Sequence, residues 1–149
     1  MEGGGWKDGG SSPRQPYENL AAWQKAMDLV VTVYDASKRF PADERFALTD
    51  QIRRAVTSIP SNIAEGYGRE SERSYLQFCL IAHGSLREVE TQVRIARRLG
   101  YIDDGRLTEL LRQCDDTGRP LRGLIGYLRK QTGVRGIQEE SESPYDIDE

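Results

Sequence analysis

Between Tyr75 and Ala96 the apolar residues fall at alternating steps of four and three: Tyr75, Cys79, Ala82, Leu86, Val89, Val93 and Ala96. An α-helix turns about once per 3.6 residues, so this spacing puts all of them on one face. A stripe of that length is buried by packing against other helices at the shallow crossing angle of a bundle. Ser71 is placed to cap the N-terminus, Ser74 takes the capping-box slot, and Gly100 stops the helix.

The segment that follows repeats the pattern. It opens near Asp103 or Asp104, runs its stripe through Leu107, Leu111, Cys114, Gly118, Leu121, Ile125 and Leu128, and closes near Thr132-Gly133. Gly118 takes a core slot, Pro120 follows it, and Gly123 and Gly126 each weaken the helix by about 1 kcal/mol relative to alanine. These residues predict a local bend or a close approach to a neighbouring helix.

Two more helices are expected upstream. Glu18–Arg39 carries the stripe Leu20, Trp23, Met27, Val30 and Tyr34, and Phe40-Pro41 ends it, because the residue before proline avoids the helical region. The next starts after Pro41 with Asp43 as N-cap and runs through Leu48, Ile52, Val56, Ile59 and Ile63. It ends at Gly66-Tyr67-Gly68, where glycine accommodates a left-handed cap. No segment reads as a strand. The fold class is therefore all-α, an antiparallel up-down-up-down four-helix bundle over residues 18–133.

The flanks differ in character. Residues 1–17 are rich in Gly, Ser and Pro and read as a disordered arm; residues 134–149 read as a disordered acidic tail. That tail masks the charge of the bundle. The whole chain is −3, but residues 18–137 hold 19 basic and 16 acidic side chains, a balance of +3. No stretch approaches the roughly 18 apolar residues of a membrane helix, and no apolar leader is present. A cytoplasmic chain with no membrane partner is expected.

Enzymatic chemistry lacks its parts. Cys79 and Cys114 sit at helix-core spacing without a CxxC arrangement, and read as reduced, buried hydrophobes. His83 is the only histidine and position 80 is Leu, so the Glu-x-x-His pairs of a di-iron bundle are missing. Cys79 and His83 are four apart, as in a dyad, but an apolar site raises a thiol pKa. Gly66-x-Gly68 lies at a helix end and does not form a phosphate loop. The expectation is no enzyme, no cofactor and no metal.

The run from Gln51 to Arg69 is energetically odd. Pro60 removes a backbone donor and crowds the Val56 carbonyl, at about 3 kcal/mol in an unsupported helix. Ser58, Ser61 and Asn62 lie close enough to help, and the result is either a supported kink or a kink that shapes an interface or groove. Asn62 and Glu65 share a helix face beside Ile59 and Ile63. A carboxylate there calls for an arginine, with Arg53, Arg54, Arg69 and Arg87 as candidates. A hydrogen-bond network within or between subunits is favoured over a catalytic carboxylate.

Arginine placement offers a binding surface. Arg87, Arg94 and Arg98 line one face of the third helix; Arg112, Arg119, Arg122 and Arg129 or Lys130 cluster on the fourth. Such stripes contact nucleic-acid phosphates. The competing reading is a solvated face tied locally to Glu90, Glu109, Asp115 and Asp116.

Several motifs together resemble a known family. They are Trp23-Gln-Lys-Ala26, Gln51-Ile-Arg-Arg-Ala55, Ser58-Ile-Pro-Ser-Asn-Ile-Ala-Glu-Gly66, Phe78 to Ala82, Gly84-Ser-Leu-Arg-Glu88 and Leu121-x-Gly-Leu-Ile125. The chain is similar to bacterial 23S rRNA intervening-sequence proteins and, more distantly, to accessory variability determinants of diversity-generating retroelements. The resemblance spans residues 17–131. It implies a four-helix bundle that assembles as a homopentamer without enzymatic activity. It makes Ser58, Pro60, Asn62, Glu65 and Gly66 an architectural fingerprint. It also implies RNA or DNA as partner, with a reverse transcriptase or another protein beside it. The retroelement relatives are more basic than this chain. Five subunits at +3 still sum to about +15, enough to act at low salt. A protein scaffold without nucleic-acid contact is the alternative.

Overall fold

A computed structural model describes residues 15–134; the expected arm and tail lie outside them, apart from their innermost residues. After a short 3-10 turn at Pro16–Asn19 come α1 (Ala21–Ser37), a second turn at Ala42–Glu44, α2 (Leu48–Tyr67), α3 (Glu72–Arg98) and α4 (Asp104–Thr132). No strand occurs among the described residues. α1 packs on α2 and α4, and α3 packs on the same two, which closes the bundle around one core. Leu29, Val56, Ile59, Ile63, Val89 and Leu121 are fully enclosed at its centre.

α3 and α4 form as their patterns dictate. The Ser71 hydroxyl accepts from the Ser74 amide at 3.1 Å, and the Asp103 carboxylate accepts from the Arg106 amide at 2.8 Å. Gly100 and Gly133 stop these helices at φ +79° and +73°, in the region that favours glycine. Leu76, Leu110 and Thr117 join the buried stripes, while Tyr75, Leu107 and Leu111 pack at their edges. Gly118 lies close to α3, as its core slot predicts: a Cβ there would meet Leu86 Cδ2 at 3.3 Å.

α1 corrects the sequence reading. Its buried face is Ala22, Ala26, Leu29, Val33 and Ala36. The expected stripe lies beside that face: Leu20, Trp23 and Val30 pack partly, while Met27 is 39% and Tyr34 37% exposed. α1 carries more apolar surface than two neighbours can cover. The alanine-rich side allows the closest approach, so the bulkier side is left at the rim. Tyr17, from the preceding turn, packs edge-on against Trp23 at 5.5 Å.

α2 begins five residues after the expected cap. Asp43 sits in the 3-10 turn, and Glu44 does the capping instead, its carboxylate accepting from the Leu48 amide at 3.2 Å. At the far end Gly68 has φ −82°, so the helix stops without a left-handed cap. Gly66 has a different role. A Cβ there would lie 2.8 Å from Phe78 Cβ and 2.9 Å from Tyr75 Cδ1, so its missing side chain lets α2 and α3 approach.

Candidate nucleic-acid interface

The α2 fingerprint builds a polar strap. Pro60 lies buried inside α2. Beside it the Ser58 and Ser85 hydroxyls are 2.7 Å apart, bonding α2 to α3. The Asn62 amide donates to the Ser58 carbonyl at 2.8 Å and to the Ser58 hydroxyl at 3.0 Å. Half-buried polar groups of this kind hold helices in one register when they are satisfied.

Glu65 is not part of that network. Three residues along a helix leave an offset of about 60° from the starting face. Glu65 therefore emerges at the surface and pairs with Arg69 at 3.0 Å, one of its four candidate partners. The Arg69 guanidinium in turn lies 4.7 Å over the Phe78 ring.

Ser58, Asn62 and Gly66 thus act in α2–α3 packing. Arg53, another candidate, ties α1 to α2: its Nε donates to the Ser37 hydroxyl at 2.8 Å, and its guanidinium stacks on Tyr34 at 4.7 Å.

The arginine faces divide into paired and less paired groups. Arg87 meets Glu90 at 3.3 Å, Arg112 meets Asp116 at 3.0 Å and Arg119 meets Asp115 at 2.6 Å. The Arg119 hydrogen bond holds the Asp115 carboxyl below its ordinary range. Here the salt-bridge reading applies, and such exposed pairs contribute little to stability. Glu109 pairs instead with Arg106, which also bridges to Asp35 on α1 at 2.5 Å.

Arg122 only reaches Asp115 at 3.9 Å. Arg94 donates to the Glu90 carbonyl at 3.3 Å. Arg98 and Lys130 are exposed and form no salt bridge among the described residues. Arg129 is half-buried.

The second half of α4 is distinctive. From Thr117 to Thr132 it carries Arg119, Arg122, Arg129 and Lys130 and no carboxylate. Gly123 and Gly126 leave open space on the same helix, and Tyr127 is 54% exposed. Cations and an exposed aromatic ring on one helix suit a single-stranded nucleic acid, with phosphates on the guanidiniums and a base on the ring. Sequence reasoning missed Tyr127. Its signal is an aromatic residue off the apolar stripe, one position after a glycine.

The nucleophile candidates are quiet. Burial pushes the Cys79 and Cys114 thiols up to about 12, which leaves little thiolate at neutral pH. His83 is held below its usual value by burial first and then by Arg87 and Arg122, with Glu90 opposing and Arg129 adding. No cluster of three or more His, Cys, Asp or Glu that could hold a metal occurs among the described residues. No helix among them is long and apolar enough to cross a membrane.

Fold and surface together define an all-α four-helix bundle with an arginine-lined outer face. The chain belongs to the 23S rRNA-intervening sequence protein family, whose model matches residues 18–123. It also resembles a solved structure, a protein of unknown function from the S23 ribosomal protein family of Bacteroides thetaiotaomicron. The TM-score is 0.67 at 22% identity, over 74% of this chain and 98% of that one. At that identity the likeness is one of fold. No curated protein matches.

Proposed function

We propose that the protein is a non-enzymatic, homopentameric bundle that binds nucleic acid, RNA foremost, as an accessory factor to an enzyme such as a reverse transcriptase. The observation that carries this reading is the carboxylate-free half of α4, which bears four cations and the exposed Tyr127 ring. Phosphate contacts made this way release counterions, so affinity falls steeply with salt. Filter binding of structured RNA at about 50 mM salt tests the idea. Retention should drop as salt rises, and Arg94→Glu with Arg98→Glu should weaken it further. Tyr127→Ala should cost about 1–3 kcal/mol of affinity if a base stacks there. Absence of retention at the low salt would remove the reading.

A second reading, a protein scaffold without nucleic-acid contact, is favoured by a different surface. Met27, Val31 and Tyr34 form an outward apolar row on α1, and Ile95 and Leu99 are exposed on α3. Rows of this kind mark protein contacts. A pull-down from the host separates the two: a protein partner kept after nuclease treatment supports the scaffold, and one lost with nuclease supports nucleic acid.

A further inference from the structure

Gly118 sits at a core position of α4, facing Leu86 of α3. Where its side chain would begin, another group is already present: an added Cβ would fall 2.7 Å from Arg122 Nη1 and 3.5 Å from Arg122 Cζ. The Arg122 side chain therefore folds back along α4 into the seam with α3. Any larger residue at 118 would push the guanidinium outward.

His83 on α3 lies within electrostatic reach of Arg122 and Arg129 on α4; Arg87, one turn after it, is 64% exposed and pairs with Glu90 at 3.3 Å. The His83 Nε2 is enclosed and has no hydrogen-bond partner among the described residues. A buried ring nitrogen without a partner is costly, and the surrounding charge is mainly positive. The charged groups that act on the ring are Arg87 and Glu90 from α3 and Arg122 and Arg129 from α4.

We infer that the α3–α4 seam at His83, Arg87 and Arg122 is a phosphate-binding site, with Gly118 as the slot that positions the Arg122 fork. Guanidinium forks match phosphate oxygens in shape and charge. The ligand is a phosphate oxyanion, either a phosphodiester of an RNA strand or a free phosphate. Only the first of these rests on the nucleic-acid reading above.

Binding is linked to protonation of His83. Burial first and then the neighbouring cations hold the imidazole below its usual value; an arriving anion offsets the cations, so the ring takes up a proton more readily. The linkage is reciprocal, and a phosphodiester, whose own charge is constant in this range, binds more tightly as pH falls.

His83 is the only histidine, so its ring signals in an NMR titration report this seam alone. The midpoint is followed from about pH 5 to pH 8 in chloride, in inorganic phosphate at matched ionic strength, and with a short structured RNA. Phosphate should raise the midpoint by about half a unit or more. Arg122→Gln and Gly118→Ala should each remove most of that rise while helix content stays unchanged. Arg122 is exposed, so Arg122→Gln keeps the test open if Gly118→Ala fails to fold.

A rise with phosphate, but no RNA binding, keeps the site and overturns the nucleic-acid reading. A rise with RNA alone assigns the site to phosphodiesters. RNA binding that leaves His83 and both variants unaffected overturns the site and spares the reading. Identical midpoints in all three conditions also overturn the site.

Discussion

The hydroxyls of Ser58 on α2 and Ser85 on α3 lie 2.7 Å apart, and Asn62 donates to the Ser58 side of that bond. This contact joins residues 27 positions apart, so it forms only when the two helices dock in register. Ser58→Ala and Ser85→Ala should each cost about 1 kcal/mol in urea unfolding. The double variant should cost less than the sum of the singles, because each one already breaks the shared bond. Full additivity would show that the hydroxyls act independently.

Glycines at two sites should respond in opposite ways. Gly66→Ala places a methyl 2.8 Å from Phe78 Cβ and 3.2 Å from the Tyr75 carbonyl, so it should destabilise by about 1–3 kcal/mol. Gly84→Ala meets nothing within 4 Å and should stabilise α3 by about 0.5–1 kcal/mol. Urea midpoints of the two variants check this, and equal shifts would contradict close packing at Gly66.

Stability should fall at both pH extremes through a single pair. The Tyr101 hydroxyl donates to the Glu44 carboxylate at 2.6 Å. That bond, then the Leu48 amide, lowers the Glu44 carboxyl below 4.5. A lowered carboxyl contributes stability above its unfolded value, and the contribution is lost as pH falls through the folded value. The same bond raises the Tyr101 hydroxyl from 10.0 to about 12. Its share is complete below 10.0 and is lost as pH rises through about 12. Glu44→Gln should flatten both limbs in pH-dependent thermal melts. Asp35→Asn, which breaks the pair with Arg106, should flatten only the acid limb, where hydrogen bonding to Arg106 keeps the Asp35 carboxyl low.

Assembly should depend on the outward row of α1. Val31 is 67% exposed, so Val31→Glu should leave the monomer fold intact. Light scattering of the parent chain should give about five times its 16.9 kDa mass, and the variant should approach one chain. A parent mass near 16.9 kDa would remove the pentamer from the proposal.

Much of the bundle is legible in the chain. The four-three spacing of Cys79 to Ala96 locates α3, because helical periodicity is a local property that packing then uses. The caps at Ser71 and Asp103 and the stops at Gly100 and Gly133 are equally local. α1 is less legible, since two adjacent apolar stripes satisfy the same periodicity. The site was readable only in part. The arginines and their carboxylates three or four positions away stand out in the sequence, but that Tyr127 is exposed, and that Arg122 lies near Leu86 of α3, depends on how α4 is rotated in the bundle.

The sequence alone determined four helices, their approximate limits and the family fingerprint from Ser58 to Gly66, because these rest on residue spacing and on backbone preferences of neighbouring residues. Tertiary structure decided which face of α1 is buried, that Ser58 bonds to Ser85 across α2 and α3, and that Arg122 folds over Gly118 beside Leu86 of α3. Those outcomes depend on which surfaces can approach most closely in three dimensions, a competition among distant residues that no local pattern records.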